Sequence, residues 1–255
     1  GLRLEPMSAV RLQDALRLYE FEGSEVRPPS GKANVLFMPQ AMDTLLWRLQ
    51  RGASGQTLHQ KVSPLTGKTG KKLFSDMLTL RNDPLDDSLP GARAADDEGV
   101  PCVDFRLIDK GVFGGFYCDL DYSARTGLPA GGHGFRRNMM GGDPLMIRPQ
   151  PCLAHLRFDK GNKSFDELLR EMGEGVVVFG TLGQHTGNIL NGDFSIGLSL
   201  GFYVRNGRIV GKCRDTMVSG NVYDIMKRAA AVGSGSDPVY GNNPPVLFEG
   251  VDVSC

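Results

Sequence analysis

"GDFSIGLSLGFYVRNGRIVG", residues 192–211, carries the plainest local signal in the chain. Phe194, Ile196, Leu198, Leu200, Phe202 and Val204 alternate with Ser195, Gly197, Ser199, Gly201, Tyr203 and Arg205. Successive side chains leave opposite faces of a β-strand, so strict alternation predicts a strand with one apolar and one small or polar face. Asn206-Gly207 reads as a two-residue hairpin turn, in which both positions need φ > 0. Small residues along a whole face let a neighbouring sheet or chain come close. A plain half-buried strand gives the same pattern.

Outward from this strand the pattern repeats. Val103, Phe105 and Leu107 alternate with Asp104 and Arg106, Asp109-Lys110-Gly111 supplies a turn, and "VFGGFYC" returns, which predicts a hairpin over 103–118. "ANVLFM" (33–38), "CLAHLRF" (152–158), "GVVVFGTL" (175–182) and "PPVLFEGVDVSC" (244–255) read as strands. Helices are expected at 8–22, and at 39–51, where Pro39 suits the first helical position and Met42, Leu45, Leu46 and Leu49 share one face. Ser164 and Glu167 form a capping box for a short helix. "SGNVYDIMKRAAAVG" (219–233) reads as a helix with Val222, Ile225, Met226 and Ala229 inside. Two hairpins and 34 glycines predict an α+β fold, mostly antiparallel β-sheet with peripheral helices. Residues 1–31 are expected to form a helix and linker, and 32–255 one main domain.

The 255 residues are enough to bury a real core. Lys plus Arg number 29 and Asp plus Glu 29, so no charge excess points to nucleic acid or an anionic membrane. No apolar run approaches the roughly 20 residues of a transmembrane helix. The five cysteines stand apart without a C-x-x-C pair, which predicts reduced thiols in a cytoplasmic protein.

Gly67-Lys68-Thr69 ends like a phosphate-binding P-loop, but Val62 stands where that loop needs glycine, and Pro64 lacks an N–H donor. The stretch reads as a Gly/Lys-rich loop. Asp96, Asp97 and Glu98 could bind a cation, or simply form a solvated loop. The four histidines precede Gln60, Gly134, Leu156 and Thr186, so no helical H-E-x-x-H zinc motif exists. A Ser/His/Asp triad is spatial and leaves little sequence trace, and no G-x-S-x-G elbow is present.

Residues 182–233 resemble the PmbA/TldD family, in particular its PmbA (TldE) branch. The resemblance rests on Gly192-Asp193-Phe194-Ser195, Gly201-Phe202, Asn206-Gly207, Ser219-Gly220-Asn221 and Ala231-Val232-Gly233, with His185 just upstream. Agreement extends over about 32–255, through "ANVLFMPQAMDTLL" and "DDEGVPCVDFRLIDKGVFGGFYCDLDYSARTG". The resemblance makes "GKTGKK" a chance echo of a P-loop.

The TldD branch resembles a zinc peptidase with H-E-x-x-x-H. The PmbA branch, also labelled "modulator of DNA gyrase", lacks the metal site and pairs with TldD in a protease of unfolded peptides. The resemblance therefore implies a non-catalytic subunit with no cofactor of its own, zinc being held by a TldD-like partner. The 1–31 segment would be a remnant of the family's N-terminal domain. A stand-alone peptide- or protein-binding homodimer is the alternative, and a hydrolase with an unrecognised site is a third. No catalytic or metal residue is assigned. "GGHGFRRN" is expected to be a mobile loop facing peptide or the partner subunit, through Gly131, Gly132, His133, Arg136, Arg137 and Asn138. Glycines admit a close backbone, and arginines can hold a carboxylate.

Overall fold

The computed structural model describes residues 24–88, 91–137, 143–235 and 242–255. The helix expected at 8–22 and the candidate Asn138 lie outside the described residues. In chain order the strands are β1 Glu25–Val26, β2 Gly31–Phe37, β3 Leu80–Asn82, β4 Phe105–Asp109, β5 Val112–Phe113, β6 Gly134–Phe135, β7 Gln150–Pro151, β8 Leu156–Phe158, β9 Gly175–Leu182, β10 Asp193–Arg205, β11 Arg208–Cys213, β12 Met217–Asn221, β13 Ala229–Val232 and β14 Val246–Ser254. The main sheet runs β1-β11-β10-β12-β14-β2-β9, and β9 pairs again with β10. Strands β9, β10, β12, β14 and β2 thus close into a five-stranded barrel. Closure pairs edges that would otherwise be open to other chains. A second sheet, β5-β4-β3-β8, and the ribbon β6-β7 complete the β-structure of the described residues.

The expected hairpins are antiparallel, but β2 pairs with β9, and β1 with β11, in parallel. The mostly antiparallel expectation therefore holds only in part, and the fold is mixed α/β. The reason lies in chain distance. Asn34 meets Gly175 across the β2–β9 pair, and so long a crossover leaves strand direction unconstrained by a tight turn.

Asn206 and Gly207 do turn the β10–β11 hairpin with φ of 53° and 69°. The single apolar face predicted for β10 is corrected. Its pairing with β9 shifts register between Leu198 and Leu200 and again between Leu200 and Gly201. A register shift sends later side chains to the other face. Phe194 and Ile196 consequently enter the barrel core with Val35, Phe37 and Phe248, whereas Phe202 and Val204 join an outer cluster with Leu168, Leu169 and Met172. That outer layer is the helix Phe165–Met172, opened by the predicted capping box of Ser164 and Glu167.

The helix expected at 39–51 begins as a 3-10 turn, Pro39–Ala41, and continues as Asp43–Gly52 with Leu45, Leu46 and Leu49 buried. The helix expected over 219–233 is only Val222–Ile225, extended by the 3-10 turn Met226–Arg228. Ala229–Val232 form β13 against β14 instead. Alanine favours helix locally, but pairing with a fully buried neighbour overrides that preference. Among the described residues no helix is long and apolar enough to cross a membrane.

Candidate functional site

The family-pattern residues gather where β10 begins. The connection from β9, residues 183–192, is a loop folded on itself: Thr186 N–H donates to Gly183 O at 2.9 Å, Gly192 to Ile189 at 3.2 Å and Asp193 to Asn188 at 2.9 Å. Gly187 and Gly192 have φ of 92° and 87°. A Cβ on Gly192 would stand 2.5 Å from the Tyr223 ring, and one on Gly187 2.5 Å from Asp193 O. Left-handed backbone and lack of room both demand glycine.

Arg48, on the helix Asp43–Gly52, holds this loop from inside. It has no exposed surface. Its Nε donates to Asp193 O at 2.8 Å, Nη1 to Thr44 O at 2.7 Å, and Nη2 to Gln184 O at 3.0 Å and Thr186 O at 2.7 Å. The guanidinium also lies 5.8 Å from the Trp47 ring centroid and 5.9 Å from that of Phe194. Carbonyl dipoles and π faces thus replace water around a buried cation. Burial lowers the Arg48 pKa and the Asp193 carboxylate counters part of that; the group remains a cation.

Asn221 closes the other side. It faces Asp193 in the β10–β12 register. Its Nδ2 donates to Asp193 Oδ1 at 2.8 Å and to Asn191 O at 2.7 Å, while Oδ1 accepts from Tyr223 N at 3.0 Å as the helix N-cap. The Ser195 carbonyl accepts from the Thr186 hydroxyl. Phe194 packs edge-on against Phe37. Gly192, Asp193, Phe194, Ser195 and Asn221 are therefore brought together as the frame of a rigid loop. That frame leaves His185 and Asn188 exposed. Asn206 and Gly207 are not part of it. They lie beyond the 13-residue β10, roughly 40 Å along an extended strand, where Gly207 N–H docks on Gly173 O at 2.7 Å.

The 131–137 segment lies elsewhere, against the second sheet. Gly132, His133, Gly134 and Phe135 are buried; Arg136 is half-buried and Arg137 exposed. The acidic turn pins this segment rather than standing free in solvent. Asp96 Oδ2 accepts from Gly134 N at 2.8 Å, and Asp97 Oδ2 from Arg136 N at 2.7 Å. Glu98 Oε2 accepts from Leu120 N at 2.8 Å, and burial raises its pKa. Carboxylates fill the role of missing strand partners for these amides. Gly131 is half-buried, and a Cβ there would press the His133 ring. His133 packs edge-on against Phe105 and Tyr117. Its Nδ1 has no partner, and burial pushes its pKa down to about 4, against an opposing pull from Asp96.

The remaining histidines do not converge. His59 ends the helix Gly55–His59, and His155 Nε2 lies 3.0 Å from Gly91 O. Among the described residues no three His, Cys, Asp or Glu side chains are placed to hold a metal. Lys68 sits in a surface turn, its N–H bonded to Leu65 O at 3.1 Å. Sequence reasoning missed Arg48. The available signal was an arginine one turn from Thr44 and Leu45 on the otherwise apolar face of its helix.

Over most of its length the chain matches the C-terminal domain of a metallopeptidase family. Residues 30–255 match the PmbA/TldA metallopeptidase C-terminal domain, and the chain belongs to the PmbA/TldD family. The chain is similar to Metalloprotease PmbA of Escherichia coli O157:H7, with 30% identity over 80% of this chain and 41% of that protein. A metalloprotease of Methanothermobacter thermautotrophicus is 28% identical over 81% of this chain and 44% of its own length. The crystal structure of TldE from Thermococcus kodakarensis superposes with a TM-score of 0.86 at 26% identity, covering 96% of this chain and 55% of that one. The chain spans about half the length of these relatives.

Proposed function

We propose that this chain is a PmbA/TldE-type subunit without a catalytic metal, which pairs with a TldD-like zinc-bearing subunit to cleave unfolded peptides. The observation that carries this reading is the dispersal of the metal-binding residue types. A zinc peptidase site needs three protein ligands converging on one point and a Glu base beside them. Here the histidines sit in four separate places, and the described residues offer no such set. The described residues do not fit zinc, so no step is routed through it here. Similarity to TldE over most of the chain supports the same reading.

In this role the chain supplies binding and orientation. The 183–192 loop presents His185 and Asn188 on a backbone that Arg48 and Asn221 hold fixed, which lowers the ordering cost of engaging a partner or an extended peptide. Arg137 gives the 131–137 segment an outward cation for a peptide carboxylate.

Co-purification with a TldD-like subunit tests the proposal. The expected result is a complex that cleaves an unfolded peptide, which this chain alone leaves intact. Cleavage by the isolated chain would overturn it.

A further inference from the structure

A cleft of about 420 Å³ lies at the end of the barrel away from the 183–192 loop. β9 starts there at Gly175 and runs eight residues before it reaches that loop, roughly 25 Å along an extended strand. The cleft is walled by the 28–30 connection between β1 and β2, by Ala33 and Val176, and by Glu174 and Tyr203. Val176 and Tyr203 also belong to the barrel core, and Ala33 packs against it. Barrel mouths of this size are common places for small ligands.

The charge of the wall is one-sided. Among the described residues that line the cleft, Glu174 is the one carboxylate and Lys32 the one cation. Lys32 is already neutralised, its Nζ 2.6 Å from Asp252 Oδ2. Glu174 follows the left-handed Gly173, φ 66°, and its N–H donates to Met172 O at 2.7 Å. Its Oε1 accepts from the Tyr203 hydroxyl. Burial and that carboxylate raise the Tyr203 pKa, against an opposing pull from Arg205, so the phenol remains a donor. Among the described residues no lysine or arginine forms an ion pair with Glu174. A carboxylate can accept about four hydrogen bonds, which leaves room for an incoming donor. The amide of Asn34 is engaged with Met172 O at 3.0 Å, and Ser30 Oγ accepts from Cys255 N–H at 3.2 Å.

We infer that this cleft binds an alkylammonium group, either the end of a lysine side chain or a small aliphatic amine. The ammonium donates to Glu174, and its methylenes lie on Ala33, Val176 and the Pro28–Pro29 wall. A carboxylate already held by a buried hydroxyl needs little ordering when the ligand arrives. An anion would meet Glu174 with like charge. An uncharged chain would strip water from the carboxylate and return no hydrogen bond. The site uses no residue of the 183–192 loop or the 131–137 segment, so it stands apart from the proposed pairing with a TldD-like subunit.

The test is an amide chemical-shift titration of the full chain with n-butylamine and with N-acetyl-lysine methylamide. N-acetyl-norleucine methylamide and butyrate are the controls. Both ammonium probes should move the Ala33, Val176 and Tyr203 signals and saturate in the millimolar range, and the tighter of the two names the source. The controls should not saturate. Glu174 is exposed, so Glu174→Gln should keep the wild-type urea midpoint. It should weaken both ammonium probes about tenfold or more, the usual scale for a charge-assisted hydrogen bond. Saturation by neither ammonium probe would overturn the inference. So would equal binding of the norleucine probe or butyrate, or unchanged affinity in Glu174→Gln.

Discussion

Arg48 Nε donates to the main-chain carbonyl of Asp193 at 2.8 Å, joining residues 145 apart in sequence. The contact ties the helix that follows β2 to the first residue of β10. Three of the carbonyls around Arg48 belong to the loop and its boundary, at Gln184, Thr186 and Asp193. The loop's shape therefore depends on one buried side chain outside it.

Arg48→Met should leave those carbonyls without donors while filling similar volume. Loss of roughly 2–4 kcal/mol is expected, because buried acceptors left unpaired each cost about 1–3 kcal/mol and relaxation recovers part. Chemical denaturation measures the loss. Hydrogen exchange should quicken within 183–193 first. Unchanged exchange there would show that the loop is held by other means. Arg48→Lys should rescue only part of the stability, since one ammonium cannot reach four carbonyls on different sides.

Gly192→Ala and Gly67→Ala form a matched pair. Both glycines have left-handed φ, 87° and 71°. A Cβ on Gly192 would stand 2.5 Å from the Tyr223 ring; nothing lies within 4 Å of a Cβ on Gly67. Gly67→Ala should cost about 1 kcal/mol, from backbone strain alone, and Gly192→Ala more than about 2 kcal/mol because overpacking adds. Equal urea midpoints for the two variants would contradict this account.

Asn221→Asp should create a pH-dependent defect. The new carboxylate would sit against Asp193 Oδ1, now 2.8 Å from Asn221 Nδ2. Like charges at that distance raise the folded-state pKa of the pair above the unfolded value. The variant's stability should be near wild type below about pH 4 and fall as pH rises through the raised value. Asn221→Ala loses the N-cap instead, about 1 kcal/mol with no pH dependence. Urea midpoints at acid and neutral pH separate the two. A flat profile for Asn221→Asp would sink the placement of Asn221 on Asp193.

How much of this was legible in the sequence differs by element. The β10–β11 turn was, because Asn206-Gly207 satisfies a local backbone requirement. So was the Ser164–Glu167 capping box, which is complete within four residues. The two facial regimes of β10 were not, because its register shifts arise from pairing with β9 and leave the alternation of residue types intact. β13 was hidden for the same reason: "AAAV" is helical by propensity and extended by its partner. At the site, Asp193 and Asn221 were legible as pattern, but their hydrogen bond needs the β10–β12 register. Arg48 lies 145 residues from its acceptor and shows no local motif.

His133 predicts an acid limb. Its folded pKa of about 4 lies below the unfolded value of about 6.5. The stabilising contribution is complete above about pH 6.5 and is lost as pH falls toward 4, where the unfolded chain gains a proton that the buried imidazole resists. The full loss is about 3 kcal/mol by that linkage. His133→Phe should flatten stability between about pH 6.5 and 4 relative to wild type. The Asp86 contribution falls in a lower window, because its bond to Ser88 and its pairing with Arg157 hold it near 2. A variant with an unaltered slope would place the acid sensitivity elsewhere.

The central claim is that this chain, in the proposed pairing with a TldD-like subunit, contributes no hydrolytic centre. The most direct measurement is zinc content and peptide cleavage in a reconstituted pair whose TldD-like subunit carries Glu→Gln in its H-E-x-x-x-H motif. The account predicts zinc only in that sister subunit, none held stoichiometrically by this chain, and abolition of cleavage by the sister's substitution. Residual cleavage that follows this chain, or about one tightly bound zinc per copy of it, would contradict the account.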